Sequence, residues 1–182
     1  MYLCEILWQR GRHREEQMTI RFLKIGLLFW LATVLQTTLV NLIEIKGIKP
    51  DLSLILVLYF ALFEGSVYGV VLGFLGGFLQ DIFAPSYLGL NIISKVVVSF
   101  LCASLRSKVY REKKKTQGIL LLLLTLMHDF LYFLLLFRGD FNKILSSLGY
   151  FSLGGGIYNA VIGILVFPLL KRWFAKDFWI QR

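Results

Sequence analysis

The chain has 182 residues, 57% of them hydrophobic, and its mean hydropathy of +0.71 indicates an integral membrane protein rather than a soluble domain. A formal net charge of +9 would suggest nucleic-acid binding in a soluble protein, but here the basic residues cluster beside apolar runs. Membrane topology is therefore the better explanation of the charge, and no nucleic-acid partner is expected.

Residues 1–17 form a mixed, mostly charged leader. It has neither the apolar core and cleavage site of an export signal nor the acid-poor composition of a transit signal. Because Met18 directly precedes the basic start of the first apolar run, one interpretation places the true start at Met18 and gives the leader little structure. The other makes the leader a cytoplasmic tail or an interfacial segment. Residues 18–182 are predicted to form a single six-helix membrane domain.

The first span is predicted from about Arg21 to Val40, and about 20 residues at about 1.5 Å each cover the roughly 30 Å of a hydrocarbon core. Gln36 lies in its outer half and is expected to face other helices, because lipid offers no hydrogen-bond partner. After a polar turn, Pro50 and Asp51 predict a new helix start, since proline fits a first turn and an acid favours a helix N-terminus.

Two short apolar segments follow, Leu52–Phe63 and Ser66–Leu79, which are either one long helix or two short ones. The later spans are clearer and are predicted at about Leu90–Leu105, Gly118–Phe137 and Tyr150–Leu170.

Basic residues decide between one long helix and two short ones. With six spans and both termini inside, 15 basic residues lie inside and 4 outside. Merging the short segments would move the basic loop Arg106–Lys115 outside, against the positive-inside rule. The predicted fold is an all-α integral membrane protein with six transmembrane helices, N-in and C-in, of which helices two and three are short. A re-entrant hairpin made by those two segments would give the same topology.

Glycines recur at every fourth position along the second short segment, starting just before it, at Gly65, Gly69, Gly73 and Gly77. On a helix this spacing forms one slowly winding stripe, which is the small-xxx-small device for close packing in membranes. The stripe is either internal packing within the bundle or a docking face for a partner. Asp81 continues the spacing, and the helix is predicted to stop after it, in a turn at residues 84–86.

Polar residues at membrane depth are costly and need partners. Asp129 and Asn159 lie at similar depths near the midplane and are predicted to hydrogen-bond, while a proton or substrate site at His128 and Asp129 is the alternative. Asp81 and Lys95 lie near the outer face and are predicted to pair, as a brace of the helix hairpin. The predicted buried polar network therefore comprises Asp81, Lys95, His128, Asp129 and Asn159.

Motifs for catalysis and cofactor binding are absent from the sequence. It has no GxGxxG, P-loop, HExxH or CxxC pattern and no cluster of Cys and His with metal-ligand spacing. We therefore expect no enzyme activity, no cofactor and no metal.

The order and spacing of several of these elements resemble the central signature of the rod shape-determining MreD family. The elements are Lys49-Pro50-Asp51, Glu64-Gly65, the glycines at 69, 73 and 77, Asp81, and Leu88-Gly89-Leu90-Asn91. The family's later and looser pattern is matched by His128-Asp129, Asn159 and Pro168, and its first helix by Gln36. The resemblance extends from about Arg21 to Lys171.

This resemblance implies a multi-pass protein of the bacterial cytoplasmic (inner) membrane, in the cell-elongation machinery (the elongasome) that directs peptidoglycan synthesis. It implies a noncatalytic scaffold that binds MreC and, through it, the actin-like MreB filament, the RodA polymerase and a class B penicillin-binding protein.

A second class of function is a solute-binding membrane subunit, because the family's architecture is similar to the vitamin-binding components of energy-coupling factor transporters. The sequence favours the scaffold, since it shows no convergent polar cluster at the outer mouth.

Overall fold

The computed structural model of the chain describes residues 2–38, 44, 47–83, 87–110 and 112–174. These described residues form helices and no strand. The helices are α1 Tyr2–Thr38, α2 Leu52–Glu64, α3 Ser66–Phe83, α4 Leu90–Leu105, α5 Lys114–Leu136, α6 Phe141–Ser147 and α7 Leu153–Phe174, with a π-helical turn, Leu148–Ser152, between the last two.

Six apolar helical stretches confirm the predicted all-α integral membrane protein. Four are long and apolar enough to cross a membrane, namely Met18–Thr38, Ser66–Phe83, Lys114–Leu136 and the continuous stretch Phe141–Phe174. The other two, α2 with 13 residues and α4 with 16, are shorter. The third helix has 18 residues and ends at Phe83, four residues beyond the predicted apolar segment and two beyond Asp81, after which it was predicted to stop. The turn predicted at 84–86 lies outside the described residues.

Contacts at both ends of α1 and α2 show that these helices run in opposite directions. Arg21 Nη2 of α1 lies 2.6 Å from Glu64 Oε1 at the end of α2. At the other end, Gln36 Nε2 donates to the Pro50 carbonyl oxygen over 2.9 Å. We call these two ends of the bundle the Glu64 end and the Asp51 end.

The short segments are two separate antiparallel helices rather than one long one. The chain reverses at Gly65, whose φ of 111° suits glycine, and α3 then packs back along α2. A Cβ placed on Gly69 would lie 2.7 Å from Ala61 Cβ, which shows how closely the two helices approach.

The leader continues α1 instead of lacking structure. The backbone from Tyr2 onward is helical without a break through residue 17 and into the first span. The expectation that the leader carries little structure is therefore wrong for its backbone.

Helix α2 lies at the centre of the bundle. Each of its residues from Ser53 to Phe63 is buried, and its aromatic rings pack against α7. The Tyr59 and Phe167 ring centroids lie 5.3 Å apart, and those of Phe60 and Phe174 lie 5.4 Å apart. Because the centre of the bundle is one short helix, polar groups of the surrounding helices can gather beyond its ends.

Candidate functional site

A polar cavity of about 540 Å³ opens at the Asp51 end of the bundle, where α2 begins. Its walls come from α1, α3, α4, α5 and α7, from the π-helical turn before α7 and from the chain before α2. The residues that line it include Gln36, Lys49, Asp51, Gln80, Asn91, Thr125, His128, Asp129, Tyr132, Phe133, Phe151, Gly155 and Asn159. In the predicted six-span topology the Asp51 end is the outer end. The expectation that no convergent polar cluster exists at the outer mouth is therefore wrong.

Asp51 is the most connected side chain of this cavity. Its Oδ1 accepts from the backbone N–H of Leu54 over 2.9 Å, which caps α2, and from Gln80 Nε2 over 3.0 Å. Its Oδ2 forms an ion pair with the ammonium group of Lys95, whose side chain is completely buried. One carboxylate thus joins α2, α3 and α4.

Lys95 does not pair with Asp81, so that prediction is wrong. Asp81 instead accepts from the backbone N–H groups of Gly89 at 2.9 Å and Ile92 at 3.2 Å, and from Asn91 Nδ2 at 2.9 Å. The first backbone N–H groups of a helix have no partner within it and attract an acid. Asp81 satisfies this demand at the start of α4, and it does brace the α3–α4 hairpin.

Asn159 does not bond to Asp129, so the second predicted pair is also wrong. Asn159 Oδ1 accepts from the backbone N–H of Asp51 over 2.8 Å, and its Nδ2 donates to Thr125 Oγ1 over 3.2 Å. Thr125 lies one helical turn before Asp129 on α5, so Asn159 contacts α5 one turn away from the predicted position. Asn159 therefore fixes the start of α2 against α5 and α7.

Gln36 also binds the chain before α2, in agreement with the prediction that it faces other helices. Besides the bond to Pro50, its Oε1 accepts from the backbone N–H of Leu52 over 2.9 Å. The side chain of one glutamine thereby replaces two backbone partners at a helix start.

His128 and Asp129 form a second polar pair, on α5. His128 Nδ1 lies 3.0 Å from Asp129 Oδ1, and the His128 and Tyr132 rings stack with centroids 6.4 Å apart. His128 is only 5% exposed, and among the described residues its Nε2 has no hydrogen-bond partner. This buried nitrogen leaves a hydrogen-bonding site open beside the cavity.

The glycine stripe faces neighbours within the chain, which favours the internal-packing interpretation. A Cβ on Gly73 would lie 3.0 Å from the Lys95 carbonyl oxygen, and one on Gly77 would lie 2.6 Å from Ile92 Cα. Gly65 and Gly69 similarly approach Arg106 and Ala61. The stripe therefore brings α3 against α2 and α4, and close backbone contact holds the helices together.

An apolar groove of about 320 Å³ lies between α1 and α3. It is lined by Gly26, Trp30, Thr33, Val34, Thr37, Leu79 and Phe83. The groove is separate from the polar cavity, and sequence reasoning did not find it because it depends on how far α1 stands from α3.

The polar cavity contains several residues that sequence reasoning did not select, among them Gln80, Asn91, Thr125 and Tyr132. One signal was available for Asp51: a lysine at membrane depth requires an anion, and Asp51 was a candidate besides Asp81. Among the described residues, no group of three or more His, Cys, Asp or Glu side chains could hold a metal ion.

A protein-family model, described as rod shape-determining protein MreD, matches residues 16–176 of the chain. No curated protein and no solved structure matches the chain.

Proposed function

The chain belongs to the MreD family of rod shape-determining proteins, and on this premise we propose that it is a noncatalytic scaffold in the bacterial cytoplasmic membrane. In this role it binds MreC and, through MreC, is linked to MreB, RodA and a class B penicillin-binding protein, and so helps to position peptidoglycan synthesis. The family consists of shape-determining membrane proteins and is not a known enzyme family.

The apolar groove between α1 and α3 is the observation that supports MreC binding. Lipid gives little hydrophobic drive for helix association, so a partner helix must gain dispersion contacts by close packing. The groove offers such packing at Gly26, where an added Cβ would meet nothing within 4 Å. The two threonine hydroxyls of the groove already donate hydrogen bonds within α1, so a partner helix need not accept from them. Thr33 donates to the Phe29 carbonyl oxygen over 2.8 Å, and Thr37 donates to the Thr33 carbonyl oxygen over 3.2 Å. We place the transmembrane helix of MreC here, with its side chains inserted between α1 and α3.

The test fills this groove at Gly26, where the structure leaves open space beside the backbone. Gly26→Leu is expected to abolish co-purification of tagged MreC from native membranes while the protein stays at its normal level. Gly149→Leu is the matched control, since Gly149 also has nothing within 4 Å of an added Cβ and lies outside the groove. Normal capture of MreC by Gly26→Leu would refute the groove as the docking site, and failure of the unmutated chain to capture MreC would refute MreC binding itself.

The polar cavity favours a second candidate function, that of a solute-binding membrane subunit similar to the vitamin-binding components of energy-coupling factor transporters. Convergent polar groups around a concave volume are the usual form of a small-molecule site. A small molecule that stays bound after purification from native membranes, identified by mass spectrometry, would favour this role.

A further inference from the structure

We propose that the polar cavity binds a primary ammonium group, with Asp129 as its counter-ion. The ammonium group belongs either to the head group of phosphatidylethanolamine or to a free amine solute. This inference goes beyond the scaffold role and does not depend on MreC binding.

The balance of charges in the cavity points to a cation. Lys49 lines the cavity, and its Nζ lies 2.8 Å from Glu44 Oε2. Asp51, which also lines it, is paired with the buried Lys95. Among the described residues, Asp129 forms no ion pair with a lysine or arginine, and its side-chain partner is the imidazole of His128. The side chain of Asp129 is 24% exposed, so a ligand can reach it.

The remaining hydrogen-bonding groups of the cavity are mainly acceptors. In the neutral tautomer whose Nδ1–H donates to Asp129, the Nε2 of His128, which has no partner among the described residues, is an acceptor. The amide nitrogens of Gln80 and Asn91 donate to Asp51 and Asp81, which leaves their side-chain carbonyl oxygens to accept. A ligand that satisfies this wall must donate several hydrogen bonds, as a primary ammonium group with three N–H bonds does.

Aromatic rings and size agree with this ligand class. Tyr132, Phe133 and Phe151 line the same cavity, and the faces of aromatic rings attract cations. The volume of about 540 Å³ lies within the range of small-molecule sites and exceeds what an ethanolamine group needs.

The experiment uses the full chain in detergent and measures lipid binding by native mass spectrometry. Phosphatidylethanolamine is compared with phosphatidylglycerol, which lacks the ammonium group, and with phosphatidylcholine, which keeps the positive charge but has no N–H donor. Phosphatidylethanolamine is expected to bind at least about tenfold more tightly than either, the effect of one charge-assisted hydrogen bond. Equal binding of phosphatidylglycerol, together with no binding of ethanolamine, would overturn the proposal.

Two variants assign the effect to the cavity. Asp129→Asn is expected to weaken phosphatidylethanolamine binding at least about tenfold, whereas Asp140→Asn, the same change at an acid outside the cavity, leaves it unchanged. Gly155→Leu keeps Asp129 and adds a side chain in the cavity wall, where the nearest atom to an added Cβ is the Lys49 carbonyl oxygen at 3.9 Å, an ordinary contact. It is expected to lose binding as well, and it decides the matter if Asp129→Asn does not fold.

Ethanolamine in solution separates the two sources of the ammonium group. Binding of phosphatidylethanolamine alone identifies a lipid site, and binding of ethanolamine alone, lost in Asp129→Asn, identifies a solute site. Both results support the proposal, whereas no amine binding, or binding that both cavity variants retain, overturns it. Capture of MreC by Asp129→Asn is measured in parallel, so that a failure of the amine-binding proposal can be told apart from a failure of the scaffold proposal.

Discussion

Replacing Gly77 by alanine tests how closely α3 and α4 must approach. The added Cβ would lie 2.6 Å from Ile92 Cα, 2.7 Å from Ile92 N and 2.8 Å from the carbonyl carbon of Asn91. All three are backbone atoms, so no side-chain rotation can relieve the contact. The helices must separate until 2.6 Å becomes at least 3.4 Å, the start of ordinary van der Waals contact.

The expected loss of stability follows from three effects. Overpacking of a close contact costs about 1–3 kcal/mol. The separation also stretches the bonds from the start of α4 to Asp81, each worth about 0.5–1.5 kcal/mol. The higher helix propensity of alanine returns about 1 kcal/mol. We therefore expect Gly77→Ala to lower the free energy of unfolding by about 1–3 kcal/mol.

The assay is thermal unfolding of the purified protein in one detergent, together with its level in the membrane. Gly26→Ala is the control, because Gly26 lies within α1, an added Cβ there meets nothing within 4 Å, and the change gains the same helix propensity. A Gly77→Ala protein as stable as Gly26→Ala would show that α3 and α4 do not need this backbone contact.

Three further predictions concern the polar groups and the topology. Lys95→Met is expected to lower the free energy of unfolding by about 3 kcal/mol, because it leaves Asp51 without its cation. Adding Asp51→Asn should restore stability, since asparagine still caps α2. A double variant as unstable as Lys95→Met would contradict this. Gln36→Leu is expected to cost about 1–3 kcal/mol by leaving two backbone groups unpaired, measured by the same unfolding assay, and an unchanged midpoint would count against it. Cysteines at Lys114 and Asn142 are expected to be labelled from the cytoplasm and from outside, respectively, and labelling of position 114 in intact cells would refute the N-in, C-in topology.

Hydropathy, charge and small-residue spacing were enough to predict the six apolar helices and the stripe on α3. Each of these signals is local to one segment or, like the distribution of basic residues, depends only on the order of segments. The division of 52–83 into two helices was predicted in this way, and the structure has it at Gly65.

The side-chain partners could not be predicted in the same way, because depth along a helix gives one coordinate and leaves the rotation about its axis undetermined. Asp129 and Thr125 lie one turn apart on α5, and only the packing of α7 decides that Asn159 reaches Thr125. Lys95 had two acids near its depth, and its partner Asp51 is 44 residues away in sequence. The cavity depends on five helices at once, so no single segment carries its signature.

The enclosed position of α2 has a consequence for the biogenesis of the protein. With 13 residues it measures about 20 Å, too short to cross a hydrocarbon core of about 30 Å alone. Part of its enclosure is supplied by Phe167 and Phe174, near the end of the described chain. During synthesis the centre of the bundle is therefore not complete until α7 has entered the membrane. A chain that stops before α7 would leave the rings of Tyr59 and Phe60 without their contacts to Phe167 and Phe174.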